Sequence, residues 1–193
     1  DNVPEFTSNT DGDWSVPGNW TQTDGDPYTL TGGPNGFIVI IRSGDDITTD
    51  ANYASAYRTT INGILIVPST TFGHNLGLVS GTGTLLLQSG TFPAGRYTDF
   101  LDCSNGATLE YGGSGTYTLI ADLYSSISNI HFTGTGSRVL PNKDLTICNQ
   151  LLIDGPDLDN SVNNRQLIIQ GSMERYSGTF LSGSGSGATV TFA

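Results

Sequence analysis

The chain is poor in charge, and above all in positive charge. Only 13% of its 193 residues are charged, and seven Lys and Arg face eighteen Asp and Glu, which gives a formal net charge of −11. An acidic chain repels phosphate groups and has few cations to displace counterions, so we expect no nucleic-acid partner and no anionic membrane surface. No apolar run approaches the roughly 18 residues of a membrane span. We therefore expect no membrane insertion.

Cysteine is also scarce, because the chain has only Cys103 and Cys148. Two thiols do not make a disulfide-rich scaffold, and neither lies in a Cys-x-x-Cys motif or beside a histidine, as a zinc site would require. The sequence is compatible both with a Cys103–Cys148 disulfide and with two free thiols. An acidic, lysine-poor composition rich in Thr, Ser, Gly and Asn is typical of secreted and cell-surface proteins, so we expect an extracellular location.

Glycine and β-branched residues are abundant, and both disfavour helix. Short apolar segments alternate with polar residues and are separated by Gly-rich corners, which predicts an all-β protein. Only the segment 50–57 has helical potential. The candidate strands are 37–41, 61–67, 84–88, 108–111, 117–120, 130–132, 138–140, 145–147, 151–153, 166–170 and 189–192.

Internal repeats specify the architecture further. Residues 63–72 (GILIVPSTTF) align with 83–92 (GTLLLQSGTF) at an offset of 20, so that Leu65 matches Leu85. Residues 106–111 (GATLEY) align with 187–192 (GATVTF) at an offset of 81, which predicts a super-repeat of about four coils. The shorter offset matches the period of solenoids, whose stacked coils share one core. We predict a right-handed parallel β-helix, with a β-sandwich as the alternative.

The N-terminal segment differs from the coils, because it holds both tryptophans and a loop rich in Gly, Pro and Asp. A solenoid end has an open core and unpaired strand edges that need a cover. We therefore predict a cap and loop over 1–36 and β-helix coils over 37–193, as one domain from a longer repeat protein. Trp14 and Trp20 suit the cap, and a sugar-stacking platform on the two rings is the alternative.

Several segments resemble the β-helical modules of very large Bacteroidota surface proteins. They are residues 12–20 (GDWSVPGNW), 38–44 (IVIIRSG), 106–112 (GATLEYG), 130–136 (IHFTGTG), 140–141 (LP) and 145–147 (LTI). Proteins of this kind are typically exported by the type IX secretion system and include adhesins, some linked to gliding motility. The resemblance implies a right-handed parallel β-helix in an extracellular stalk or adhesive region.

The residues offer little for catalysis. Only three Glu are present, and the nearest pairing of acid and base, Asp45-Asp46 with His74, lacks the companion residues that a β-helical glycosidase needs. We expect no enzyme. Calcium is the one ion for which loops supply several hard oxygens, and we expect no other cofactor. The candidate calcium ligands are Asp11, Asp13, Asp154, Asp157 and Asp159.

These patterns together predict a non-catalytic structural or adhesive module of a bacterial surface protein. Stacked coils form a stiff stalk or filament segment whose acidic, hydroxyl-rich surface stays soluble. The expected partners are adjacent repeats or subunits of the same surface protein, and glycans are the further candidate. The alternative function is a β-helix that binds or processes glycans.

Overall fold

A computed structural model describes residues 2–119, 125–185 and 187–193 of the chain. These residues are all-β apart from a 3₁₀ turn at Pro17–Asn19. The parallel strands stack as a β-solenoid of about seven turns, which confirms the predicted parallel β-helix. The β-sandwich is wrong, since sandwich sheets are built from antiparallel neighbours. No helix in these residues has the length and apolar character of a membrane span. The right-handed sense stays a prediction.

The first compact unit comprises Asp1–Leu86 and Pro93–Phe100. One of its sheets has the order β10-β8-β6-β4-β1-β3, and the other set of strands runs β2-β5-β7-β9. Every pair with a described register is parallel except β1 with β3, which is antiparallel. The strands are β1 (Glu5–Ser8), β2 (Gly12–Asp13), β3 (Trp20–Asp24), β4 (Ile38–Ile41), β5 (Asp46–Thr48), β6 (Arg58–Ile61), β7 (Ile64–Val67), β8 (Asn75–Ser80), β9 (Thr84–Leu87) and β10 (Ala94–Arg96).

The second compact unit comprises Leu87–Phe92 and Leu101–Ala193. Its longer sheet has the order β11-β13-β15-β17-β20 with β18 also beside β15, and its shorter sheet has the order β12-β14-β16-β19. The strands are β11 (Thr108–Tyr111), β12 (Thr116–Thr118), β13 (Ser126–Thr133), β14 (Ser137–Val139), β15 (Leu145–Asp154), β16 (Asp157–Asp159), β17 (Leu167–Ile169), β18 (Ser172–Arg175), β19 (Phe180–Leu181) and β20 (Val190–Phe192). Residue 120, the end of the predicted strand 117–120, lies outside the described residues.

The sequence repeat of 20 residues corresponds to the pairing of strands in adjacent coils. Strands β7 and β9 are neighbours, and Leu65 and Leu85 both point into the core with no exposed surface. In the second unit the parallel register places Leu109 beside Ile130 and Ile130 beside Leu151, two equal steps along the chain. One coil therefore takes close to the length that the sequence repeat predicts.

The longer repeat is not a structural register, and the predicted super-repeat is wrong. The column that contains Leu109 continues through Leu151 to Met173. Val190, which the offset of 81 matches to Leu109, instead pairs with Leu167. The two similar segments occupy different columns, because β15 is long enough to pair with both β17 and β18. Similar composition in two strands produced the match.

The core of the second unit is a set of vertical apolar columns. Leu109, Ile130 and Leu151 form one column with no exposed side-chain surface. Tyr111 stacks on Phe132 in the next, with ring centroids 6.0 Å apart and planes inclined by 16°. Burying each such side chain stabilises the fold by about 1.5–3 kcal/mol. A coil alone has no partner for these groups, so each coil depends on its neighbours.

Residues of the predicted cap and coils belong to the same sheet. Strand β1, from the predicted cap over 1–36, pairs in parallel with β4, so that Glu5 lies beside Ile38. Its other edge is taken by β3 in the antiparallel direction. The division of one domain into a cap over 1–36 and coils over 37–193 stays a prediction. What the structure shows is that an antiparallel strand occupies the outer edge of this sheet, where another parallel coil would otherwise pair.

The segment 50–57 is a loop, so its predicted helical potential is not realised. Tyr53 within it has a φ of 63°, which is in the left-handed region. Backbone bonds join this loop to the one below it, because Tyr53 N–H donates to the carbonyl of Phe72 at 2.9 Å. Stacking between coils thus continues through corners as well as strands.

The core columns predict opposite outcomes for two adjacent leucines of β15. Leu151 has no exposed surface, whereas Leu152 is half-buried on the outward face. Leu151→Ala is expected to lower the free energy of unfolding by about 2–5 kcal/mol, because it leaves a cavity between coils. Leu152→Ala removes the same atoms and should lower it by about 1 kcal/mol or less. Urea denaturation of both variants measures this difference, and equal losses would contradict the assigned core face.

Candidate functional site

The two tryptophans lie inside the protein. Trp14 is 1% exposed and Trp20 is 6% exposed, and their rings meet edge to face with centroids 5.4 Å apart. The Trp20 indole N–H donates to the Trp14 carbonyl at 3.0 Å, and that of Trp14 donates to Asn35 Oδ1 at 3.1 Å. A sugar-stacking platform needs an exposed ring face, and neither ring presents one. Their contacts are those of a buried cover.

The candidate calcium ligands are not gathered into a site. Among the described residues, no group of three or more His, Cys, Asp or Glu is placed to hold a metal ion. Asp11 Oδ1 accepts the backbone N–H of Asp46 at 2.8 Å, and Asp157 Oδ1 accepts that of Thr179 at 2.8 Å. Aspartate is a common turn residue because its carboxylate accepts nearby backbone N–H groups.

The remaining candidate aspartates follow the same pattern. Asp159 Oδ1 accepts both the backbone N–H and the hydroxyl of Ser161, and Asp154 Oδ1 accepts the hydroxyl of Ser177 at 2.9 Å. Asp13 lies in β2, where its backbone carbonyl accepts Asn19 Nδ2 at 2.9 Å. These contacts stabilise loops and coil edges, and within the described part of the chain they do not gather the carboxylates around one point.

A disulfide joins Cys103 to Cys148 across 45 residues of the second unit, with the two Cα atoms 5.5 Å apart. Of the two alternatives that the sequence left open, the structure has the bonded one. The adjacent Asn149 side chain donates to the Cys103 carbonyl at 3.3 Å and to Ser128 Oγ at 2.7 Å. This bridge and its neighbours tie the loop that precedes β11 to the middle of β15.

Asp45 and His74 engage different partners in the first unit. Asp45 is 6% exposed, accepts the Ser8 hydroxyl at 2.6 Å and forms an ion pair with Arg42 at 3.2 Å. The His74 ring contacts Thr71 Oγ1 through Nε2 at 3.0 Å. The described contacts therefore show a structural ion pair and a buried histidine, with no bond between the acid and the base.

The outward face of the second unit's longer sheet carries a chain of hydrogen bonds across three strands. Gln150 Nε2 donates to Glu174 Oε1 at 3.0 Å, and its Oε1 lies 2.9 Å from His131 Nε2. Since that oxygen can only accept, His131 Nε2 carries the hydrogen. The Tyr176 hydroxyl donates to Glu174 Oε2 at 2.8 Å, and this contact with a negative carboxylate raises the pKa of Tyr176. Each group is engaged as a cross-strand contact.

Arg138 is the largest polar group in the core, and it has no exposed surface. Its guanidinium contacts six backbone carbonyls at N–O distances of 2.8–3.4 Å, and because it has five N–H hydrogens, at least one hydrogen is shared between two carbonyls. The ring of Tyr117 lies 4.4 Å from the guanidinium carbon, and the Tyr117 hydroxyl donates to the Gly112 carbonyl at 2.8 Å. The accepting carbonyls are those of Tyr111, Gly112, Gly113, Gly115, Thr133 and Thr135.

These carbonyls belong to two consecutive corners, so Arg138 joins one coil to the next. A buried charge is costly unless hydrogen bonds replace its hydration, and here the peptide dipoles do so in place of a carboxylate. Burial lowers the pKa of Arg138, but an arginine side chain stays protonated in proteins. Burial also raises the pKa of Tyr117 to about 12, against the opposing effect of the Arg138 charge.

The sequence reasoning missed this corner, although a signal was present. Gly134 and Gly136 have φ values of 82° and 90°, and a Cβ at either position would collide with a carbonyl of the corner below, on Gly113 or Gly115. Glycines that recur once per coil therefore mark corners that stack backbone on backbone. An arginine two positions after the second such corner is in place to bind their carbonyls.

His74 contains the one buried side-chain nitrogen or oxygen among the described residues that lacks a hydrogen-bond partner. The ring is 5% exposed, and Thr71 Oγ1 also lies within 3.4 Å of the Pro68 carbonyl, to which it donates. His74 Nε2 must therefore donate to Thr71, which leaves Nδ1 as an unpaired acceptor. Burial lowers the pKa of His74 below its ordinary value. The ring is thus held neutral.

The contacts of Arg138 predict that even a conservative substitution of this residue strongly lowers the free energy of unfolding. Arg138→Lys keeps the charge but replaces a planar group with several donors by a single ammonium, which cannot reach both corners. We expect the free energy of unfolding to fall by about 3 kcal/mol. The matched control is Arg175→Lys, since Arg175 is exposed and, among the described residues, donates only to the Gly178 carbonyl at 2.7 Å. Its change should stay within about 0.5 kcal/mol in the same urea titration.

His74 predicts the pH dependence of stability. In the unfolded chain the histidine binds a proton below about pH 6.5, whereas the buried ring binds it only at lower pH. The unfolded state then holds more protons, so stability should fall as the pH drops below about 6.5 towards the lowered pKa. His74→Gln should reduce this slope, because the glutamine side chain does not titrate. Urea midpoints taken above about pH 5, where carboxylates stay ionised, give the comparison. An unchanged slope in His74→Gln would contradict the assignment.

Comparison with known proteins identifies no relative of this chain. No family model matches the chain, and neither curated proteins nor solved structures give a significant match. The resemblance to Bacteroidota surface modules therefore stays a prediction that rests on the segments quoted for it. The contacts within the solenoid and its exposed side chains are therefore the basis for a proposed function.

Proposed function

We propose that this protein is a non-catalytic structural and adhesive module, a stiff β-solenoid segment in the stalk or filament of a bacterial surface protein. Two features of the described residues support a mechanical role. The apolar columns run through successive coils, and the corners are held by backbone contacts and by the carbonyl cage around Arg138. Coils that stack in this way resist bending, because each one is packed against both neighbours.

The observation that carries the proposal is an incomplete core at the coil formed by β18, β19 and β20. Phe192 is 65% exposed, although its register partner Ile169 has no exposed surface. Val190 of the same strand is only half-buried, although its register partner Leu167 is buried. Apolar side chains at inward positions need another layer to cover them. A further coil from an adjacent repeat or a neighbouring subunit has the matching strand spacing and register.

The polar contacts support a non-catalytic role. General acid–base chemistry needs an acid or base that reaches a substrate proton. On the outward face, both oxygens of Glu174 accept hydrogen bonds, and His131 is bonded to Gln150. In the first unit Asp45 is paired with Arg42. These groups hold strands and corners together.

Two observations support an extracellular location. The Cys103–Cys148 disulfide belongs to an oxidising environment, where such bonds persist. The chain has a formal net charge of −11, which keeps a protein of low charge density soluble and favours a hydrated surface. Export through the type IX secretion system, and a part in adhesion or gliding, belong to the same proposal through the segments that resemble Bacteroidota modules.

The proposal is tested by measuring self-association through the coil formed by β18, β19 and β20. We expect the protein to self-associate reversibly as its concentration rises in sedimentation velocity, because a second copy can cover the exposed side chains of this coil. Val190→Lys and Phe192→Lys should each shift the protein to monomer, since a charge cannot be buried there without a partner. Tyr57→Lys is the matched control, as Tyr57 is 57% exposed in the first unit. A monomer at every concentration, or association that survives both substitutions, would remove the observation that carries the proposal.

A further inference from the structure

An exposed aromatic pair lies on the loops that precede β6 and β8. Tyr53 is 66% exposed and Phe72 is 52% exposed, yet their rings contact each other with centroids 5.4 Å apart and planes inclined by 77°. The contact is edge to face, the geometry that aromatic pairs prefer. Two large rings that meet each other and still face solvent are not explained by packing of the core.

The backbone fixes this pair in place. Tyr53 donates its N–H to the Phe72 carbonyl at 2.9 Å, and the Phe72 N–H donates to Asn52 Oδ1 at 3.0 Å. Gly73 follows with a φ of 75°, and a Cβ there would lie 2.5 Å from Cδ1 of the Tyr53 ring. The glycine therefore lets the ring pack flat against the backbone. The pair is organised before any ligand arrives.

Tyr53 holds an unfavourable backbone conformation to achieve this. Its φ of 63° lies in the left-handed region, which is a genuine outlier for a bulky side chain. Residues in such sparsely populated regions cluster at binding sites, where the surrounding structure maintains the strain. Glycine or asparagine would occupy this position with less strain. A tyrosine there indicates that the ring itself is used.

We propose that the Tyr53–Phe72 pair, with the Asn52 side chain at its edge, is a stacking site for a neutral sugar ring. A sugar presents C–H groups on one face, which pack on an aromatic ring, and hydroxyls at its rim, which need polar partners. Asn52 uses its Oδ1 for Phe72, and its Nδ2 hydrogens can serve a hydroxyl. A formal net charge of −11 disfavours anionic sugars. This site would supply the ligand of the proposed adhesive module. The proposed mechanical role does not depend on it.

The experiment measures binding of neutral hexasaccharides based on glucose, xylose, mannose and N-acetylglucosamine by NMR chemical-shift titration of the whole chain. At least one should perturb the loop resonances around the pair. Tyr53→Asn removes one ring and introduces a residue that adopts the left-handed backbone readily, and Phe72→Ser removes the other ring. Each substitution should weaken that binding at least tenfold. The control is Tyr57→Ser, since Tyr57 is similarly exposed but has no ring partner among the described residues. It should bind as the original protein does.

The site assignment is overturned by any of three results. No hexasaccharide binds, the substitutions at Tyr53 and Phe72 leave binding unchanged, or all three variants lose it equally. Self-association that disappears in Tyr53→Asn and Phe72→Ser would instead make the pair a contact between copies. Stronger binding of polygalacturonate than of the neutral sugars would overturn the preference for uncharged ligands. Association through Val190 and Phe192 is measured separately, so either proposal can fail alone.

Discussion

Burial of apolar side chains between coils is the constraint on which the whole structure depends. Each coil has a core face only because another coil lies above or below it, as the column of Leu109, Ile130 and Leu151 shows. The spacing of about 4.8 Å between paired strands leaves room for one layer of side chains per coil. Inward positions are therefore mostly apolar, and buried polar residues such as Arg138 and Thr59 are bonded to backbone carbonyls, whereas outward positions accept leucine, threonine, histidine or glutamate.

This constraint explains why much of the fold can be predicted from the sequence. An inward position recurs once per coil, so residues 63–72 and 83–92 repeat the same apolar pattern, and strand β11 has the predicted bounds. Prediction fails where polar residues lie inside a strand. Segments 145–147 and 151–153 form the single strand β15, because Asn149 finds partners in Ser128 and the Cys103 carbonyl, and Cys148 lies in the disulfide.

The candidate sites were harder to predict, because the contacts that decide them join residues far apart in the chain. Whether Trp14 is a cover or a platform depends on burial, which the spacing of two tryptophans does not specify. Asp11, Asp157 and Asp159 accept backbone N–H groups that no motif reveals. The Tyr53–Phe72 pair arises from loops of two different coils and a backbone conformation that favours other residue types.

The cage around Arg138 has a consequence for the environments in which this protein can remain folded. A buried arginine that relies on a carboxylate loses its partner when that acid takes up a proton. Peptide carbonyls do not titrate in the range where proteins work, so all six acceptors of Arg138 persist in acid. The joint between these two coils therefore keeps its hydrogen bonds when the pH falls, unlike a joint built on an ion pair.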